Sequence, residues 1–176
     1  NQLVRALIED QGRLWSEEIG ARIDMDTPED WFHWLLGALL MSARIDATMA
    51  ATAPGALKLE EMSTVRGVLE SQRAQRIRVL NENCYVRFDN VGADQIFEAA
   101  QLVQETYGGD LRRLREEGRD TRGIRARLKE VKGIGEVGAD IFLREAQLVW
   151  DEVFPMADGH ALEQAKVFGL PERPEE

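Results

Sequence analysis

Apolar residues along this chain fall at helical spacing in segment after segment. Leu3, Leu7 and Leu14 with Trp15 mark one face of an amphipathic helix near the start. Thr27-Pro28-Glu29-Asp30 then signals a helix N-terminus: a hydroxyl cap, a proline suited to the first helical position, and two acids at the positive end of the dipole. Residues 31–48 are apolar nearly all round in their first half, the pattern of a buried central helix. Pro54-Gly55 is expected to break the chain, residues 59–62 to form a short helical turn, and Ser63 to cap a helix running to about Leu80. Residues 85–90 read as a loop in which Asp89 or Asn90 caps a helix over 93–107. Gly108-Gly109-Asp110 closes that helix and opens the next. No alternating strand pattern appears, so the chain reads as all α.

The organising stretch is 128–170. At its centre Gly133-Ile134-Gly135 separates two apolar-periodic segments, which reads as helix, glycine hairpin, helix. The second helix would offer free N–H groups and its positive dipole end just past a turn without bulky side chains, a ready phosphate site. Glycines that only join two packed helices would look the same, since G-x-G is a weak signal. One internal echo is visible: Val91-Gly92-Ala93-Asp94 is repeated as Val137-Gly138-Ala139-Asp140. Similar packing environments, or coincidence, account for two copies.

Beyond the hairpin, Asp158-Gly159-His160 opens another helix that closes in Gly169-Leu170. Leu128, Gly133, Ile134 and Gly135, followed by Asp158, His160, Gly169 and Leu170, resemble the signature of the helix-hairpin-helix DNA glycosylases of the endonuclease III superfamily. Gly159 stands where that family usually has Thr. Leu40-Met41-Ser42-Ala43-Arg44 is similar to the family's second helix, with Arg44 in place of a Gln that reaches into the duplex. Phe88 falls on the position of an apolar wedge that offsets the unstacking cost of nucleotide flipping, although an inward-packed Phe88 is an equal alternative. The resemblance covers roughly 28–170. It implies an endonuclease III-like helical bundle as a single domain over 1–176, with a helical core at 28–130 and the hairpin and aspartate segment at 128–170. Gly133, Ile134, Gly135, Lys132, Gly138, Arg44 and Phe88 are the residues expected to meet DNA.

Charge complicates that expectation. The chain of 176 residues carries a net charge of −10, which opposes phosphate binding unless base is concentrated locally. Nine basic residues lie between Arg112 and Lys132 and run into the hairpin. Either they form a phosphate-facing stripe, or they are solvated helix faces paired with acids such as Glu116, Glu117 and Glu130. Cys84 is the only cysteine, which rules out an intramolecular disulfide and a four-cysteine iron–sulfur cluster within this sequence. No metal or other cofactor is expected. No segment is apolar enough to span a bilayer, and a cytoplasmic location is the default expectation, nucleoid-associated in a bacterium.

The chemistry implied by the resemblance rests on Asp158. Departure of a base builds positive charge on the sugar, and a shielded carboxylate stabilises it or positions the attacking water. Asp is also a common N-cap, and the two roles are compatible. His160 is expected to be structural and His33 a core residue; Trp31, Trp34 and Trp150 read as core before they read as a stacking pocket. Bifunctional relatives place a Schiff-base lysine two residues after the second hairpin glycine, and here that position is Val137. The expectation is therefore a monofunctional DNA glycosylase acting on lesion-containing duplex. The alternative is a non-catalytic duplex-binding protein.

Overall fold

A computed structural model describes residues 2–43 and 46–170. These residues form α-helices and short 3-10 turns with no strand, so the chain is all α as expected, and no helix is long and apolar enough to cross a membrane. Helix α1 spans Gln2–Gln11 and α2 Trp15–Glu18. The predicted N-terminal amphipathic helix is thus split, with Leu14 extended between the parts, and α1 buries none of its residues.

The centre of the core is α3, Pro28–Met41, in which residues 31–41 are all buried. Thr27 caps it, its hydroxyl accepting from the Asp30 amide at 3.2 Å. The helix is shorter than the predicted 31–48, because Asp46 caps a new helix by accepting from the amides of Thr48 (3.0 Å) and Met49 (3.3 Å). That helix, α4 (Ala47–Leu59), runs through Pro54-Gly55, contrary to the expected break. An internal proline costs about 3 kcal/mol or more. Here Ala50, Ala53 and Leu57 are wholly buried around it and offset that cost. The buried His33 ring lies 2.8 Å from the Pro54 carbonyl, so Nε2 must carry the proton and donate. Burial pushes His33 below its ordinary pKa, which keeps the ring neutral.

The single helix expected from Ser63 is two, α5 (Val65–Glu70) and α6 (Arg73–Glu82), and Thr64 rather than Ser63 provides the first cap. Between them Ser71 is extended, and the Gln75 side chain accepts from the Gln72 amide at 2.8 Å to start α6. Helix α7 (Asp89–Tyr107) begins four residues before the predicted 93, directly after a 3-10 turn at Val86–Phe88. It ends on Gly108 at φ 63°, whose amide bonds back to Gln104 while that of Gly109 reaches Val103. Short helices α8 (Arg112–Gly118) and α9 (Thr121–Leu128) lead to the hairpin, α10 (Glu136–Ala146) and, last, α11 (Gly159–Val167).

Helix α10 joins the parts together. The Trp34 indole donates to the Phe142 carbonyl at 3.1 Å, and Trp31 stacks within 4.3 Å of Trp150 beside Phe142. All three tryptophans are fully buried, so they are core and line no stacking pocket. The buried Glu145 carboxylate accepts from the amides of Trp15 (2.8 Å) and Ser16 (3.0 Å), capping α2 from across the molecule. The sequence echo now has a physical reading. In the first turns of α7 and α10, Val91 and Val137 are exposed while Gly92, Ala93, Gly138 and Ala139 are buried. The Asp of each copy pairs with an arginine at 2.7 Å, Asp94 with Arg73 and Asp140 with Arg125. The two copies share this burial pattern but not their neighbours: Gly92 faces Tyr85 and Leu80, and Gly138 faces Ile134 and Ser42.

Candidate functional site

The hairpin is pinned by Leu128, Val131 and Ile134, three buried side chains spaced three apart and linked by 3-10-type backbone bonds. Gly133 sits at φ 96°, and a Cβ there would lie 2.7 Å from both Gln95 and Leu39, so both conformation and space require glycine. Gly135 is extended and open: a Cβ would meet nothing within 4 Å. Helix α10 starts immediately after it with no side-chain cap, leaving the first-turn amides of Glu136, Val137 and Gly138 without a side-chain partner.

Two of the residues expected to meet DNA are not placed to contact a ligand with their side chains. Ile134 has its side chain buried and its amide committed to the Val131 carbonyl, so it anchors the turn. Gly138 is buried, and its missing side chain lets α10 approach Ile134 and Ser42. Gly133 and Gly135 remain exposed, as does Lys132, but the Lys132 ammonium is paired with Glu98 at 2.8 Å. Arg44 lies outside the described residues.

The basic run is not a free stripe. Arg112 pairs with Asp110, Arg115 with Glu152, Arg125 with Glu136 and Asp140, Arg127 with Glu117, and Lys129 with Glu136. Arg113, Arg119 and Arg122 form no ion pair among the described residues. Glu136, on the first turn of α10, is held below the ordinary carboxylate range, first by its Lys129 hydrogen bond. Carboxylates therefore flank the hairpin on both sides, and a phosphate must compete with Glu98 and Glu136 for their lysines.

Asp158 is the N-cap of α11, Oδ1 accepting from the Ala161 amide at 2.9 Å. Oδ2 forms an ion pair with Arg144, in the last turn of α10, and has no other partner among the described residues. The Asp158 side chain is only 8% exposed. Burial pushes its carboxyl up, but the Ala161 amide and the Arg144 charge outweigh this and leave it below its ordinary value. The carboxylate is thus ionised and shielded. The segment before it is fixed by Gln147, whose amide donates to the Met156 carbonyl and accepts from the Met156 amide (2.9 and 2.8 Å). His160 is 98% exposed with Nδ1 3.7 Å from Glu163, and so has no structural role of the kind expected.

Phe88 is half-buried, packed against the core and 6.2 Å from the Tyr85 ring, with the Arg87 guanidinium 5.8 Å from its centroid. It lines a cleft of about 310 Å³ together with Ser42, Tyr85, Val91, Gln95 and Gly133. The structure therefore brings Phe88, the end of α3 and the hairpin together, while Asp158 meets the hairpin helix at its far end, through Arg144. Val137, at the position where the resemblance would put a Schiff-base lysine, is 62% exposed and offers no nitrogen. Arg144, Gln147 and Gln95 went unnoticed in the sequence. None of the three left a signal: Arg144 falls mid-way along the helix expected over 139–150, and is in the last turn of α10 only because that helix ends at Ala146. No cluster of metal-ligating side chains occurs among the described residues. No protein-family model, curated protein or solved structure matches the chain.

Proposed function

We propose that this chain is an endonuclease III-like, helix-hairpin-helix DNA glycosylase that removes a damaged or mispaired base from duplex DNA by hydrolysis. The observation that supports this reading best is the pairing of two features through α10. An open glycine turn with uncapped amides precedes the helix, and a shielded, ionised carboxylate is tied to its last turn. The turn would receive a backbone phosphate. The Asp158 carboxylate would stabilise the positive charge that builds on the sugar as the base leaves, and would orient the attacking water. With Val137 in place of an amine, no covalent imine forms, and the product is an intact strand carrying an abasic site.

A second reading, a duplex-binding protein without chemistry, is favoured by one observation: both oxygens of Asp158 already have partners, Ala161 and Arg144. A screen of the chain over lesion-containing duplexes separates the two. Base release that leaves an alkali-labile strand, with no adduct trapped by borohydride, supports the glycosylase. Duplex binding without release of any base supports the second reading. Absence of both sinks both readings.

A further inference from the structure

The cleft beside the hairpin has the makings of a base-reading site, and this step rests on the proposed duplex-binding reading. Its volume of about 310 Å³ is at the lower limit of ligand pockets, roughly 300–1,000 Å³, and suits one flat ring system better than an extended ligand. Its walls combine aromatic and aliphatic surface (Phe88, Tyr85, Val91) with two polar groups, the Ser42 hydroxyl and the Gln95 carboxamide. The Tyr85 hydroxyl is committed to the Leu40 carbonyl at 3.1 Å and the Ser42 hydroxyl to the Leu39 carbonyl at 2.7 Å. Gln95 is different. It lies half-buried on α7, and its side-chain carboxamide forms no hydrogen bond among the described residues. A carboxamide is both donor and acceptor, so it can bond a nucleobase edge in two places at once.

Position adds to chemistry. The Gln95 carboxamide lies against Gly133, within 2.7 Å of where a Cβ on that glycine would stand. A strand whose phosphate is held at the hairpin turn would therefore bring its neighbouring base to this cleft. We infer that the cleft accepts a single unstacked nucleobase and that Gln95 is the residue that discriminates among bases there. The base is either the one removed or the partner left unpaired by its removal.

The test uses the full chain and reads ratios between duplexes, which cancel any loss of affinity common to all of them. In one arm a stable abasic analogue is placed opposite each of the four bases and equilibrium binding is measured; only the partner base varies. In the other arm the damaged base varies against a fixed partner and excision is measured. Gln95→Leu should reduce the discrimination ratio by at least about fivefold in one arm, and that arm identifies the base, because a two-point contact carries discrimination of that order. Gln95→Glu, which keeps the acceptor but loses the donor, should reorder the preferences rather than erase them. It also answers the question if the leucine variant melts early. Wild-type protein that binds duplex without discriminating, or discrimination unchanged in both variants, overturns the inference while leaving the proposed function standing. Wild-type protein that binds no duplex at any salt concentration overturns the proposed function itself, and this inference with it.

Discussion

Replacing Asp158 by Asn changes the charge at the start of α11 while keeping its shape and its cap. Asn caps as well as Asp, so the 2.9 Å bond from the Ala161 amide should survive. What is lost is the ion pair to Arg144, a guanidinium whose side chain is 47% exposed and returns to solvent. With Arg144 half-exposed and Asp158 shielded, the pair is worth on the order of 1 kcal/mol, somewhat more than one exposed on both sides. Asp158→Ala removes the cap as well, at about 1 kcal/mol more. Because α11 buries none of its residues, this loss should appear as local fraying and not as a lower global melting point. Amide exchange over 159–170 is therefore the structural assay: near-parental in the Asn variant, faster in the Ala variant. Base excision should fall by ~10²-fold or more in both, in the range seen for groups that stabilise developing charge. The acid response carries a sign that can be checked. The folded carboxyl lies below its ordinary value, so its contribution to stability is full above the unfolded pKa and is lost as pH falls through the folded one. The Asn variant should lack that part of the acid sensitivity of α11. Excision at the parental rate in Asp158→Asn would refute the charge argument, whatever the exchange data show.

Other perturbations test the remaining parts. Gly135→Asp fits the open turn sterically but puts a carboxylate beside the uncapped amides, so duplex binding should be largely lost; binding that is unchanged, and insensitive to salt, would mean DNA is not the ligand of this surface. Glu136→Gln releases Lys129 and half-frees Arg125, and should tighten binding and steepen the salt dependence by about 0.9 for each phosphate gained; a weaker complex would show that Glu136 positions those cations instead of competing for them. Glu145→Ala leaves the Trp15 and Ser16 amides without their acceptor and should cost on the order of 2–5 kcal/mol in denaturant unfolding, a large fraction of typical stability. A loss below about 1 kcal/mol would show that water replaces the carboxylate there.

Features written in neighbouring residues were legible in the sequence. Thr27-Pro28 started α3, Gly108 closed α7, and Gly133 proved to need its glycine. Features decided by distant partners were not. Pro54 looked like a breaker because nothing local reveals the buried alanines and the His33 ring that hold α4 together around it. The extended Ser71 that divides α5 from α6 lies in a run of good helix formers, and the Gln72–Gln75 bond that restarts the helix is not a common sequence signal. The basic run stayed open between a stripe and paired helix faces: Glu117 was visible as a partner, but Glu98 and Glu152 lie elsewhere in the chain. The Arg144 contact to Asp158 required knowing how the segment after α10 folds back, which Gln147 determines by gripping Met156.

The Glu145 contact also bears on synthesis. Its two hydrogen bonds join residues 130 and 129 positions apart. At about 5–20 residues per second, a ribosome needs roughly 7–26 s to deliver the acceptor after the donors have been made. The Trp34–Phe142 bond spans 108 positions, so α3, with residues 31–41 all destined for burial, waits for α10 as well. During that interval an almost wholly apolar helix has only its sequence-local neighbours for cover. Nascent chains stalled before residue 136 should therefore be sticky and recruit chaperones, and chains carried past α10 should not.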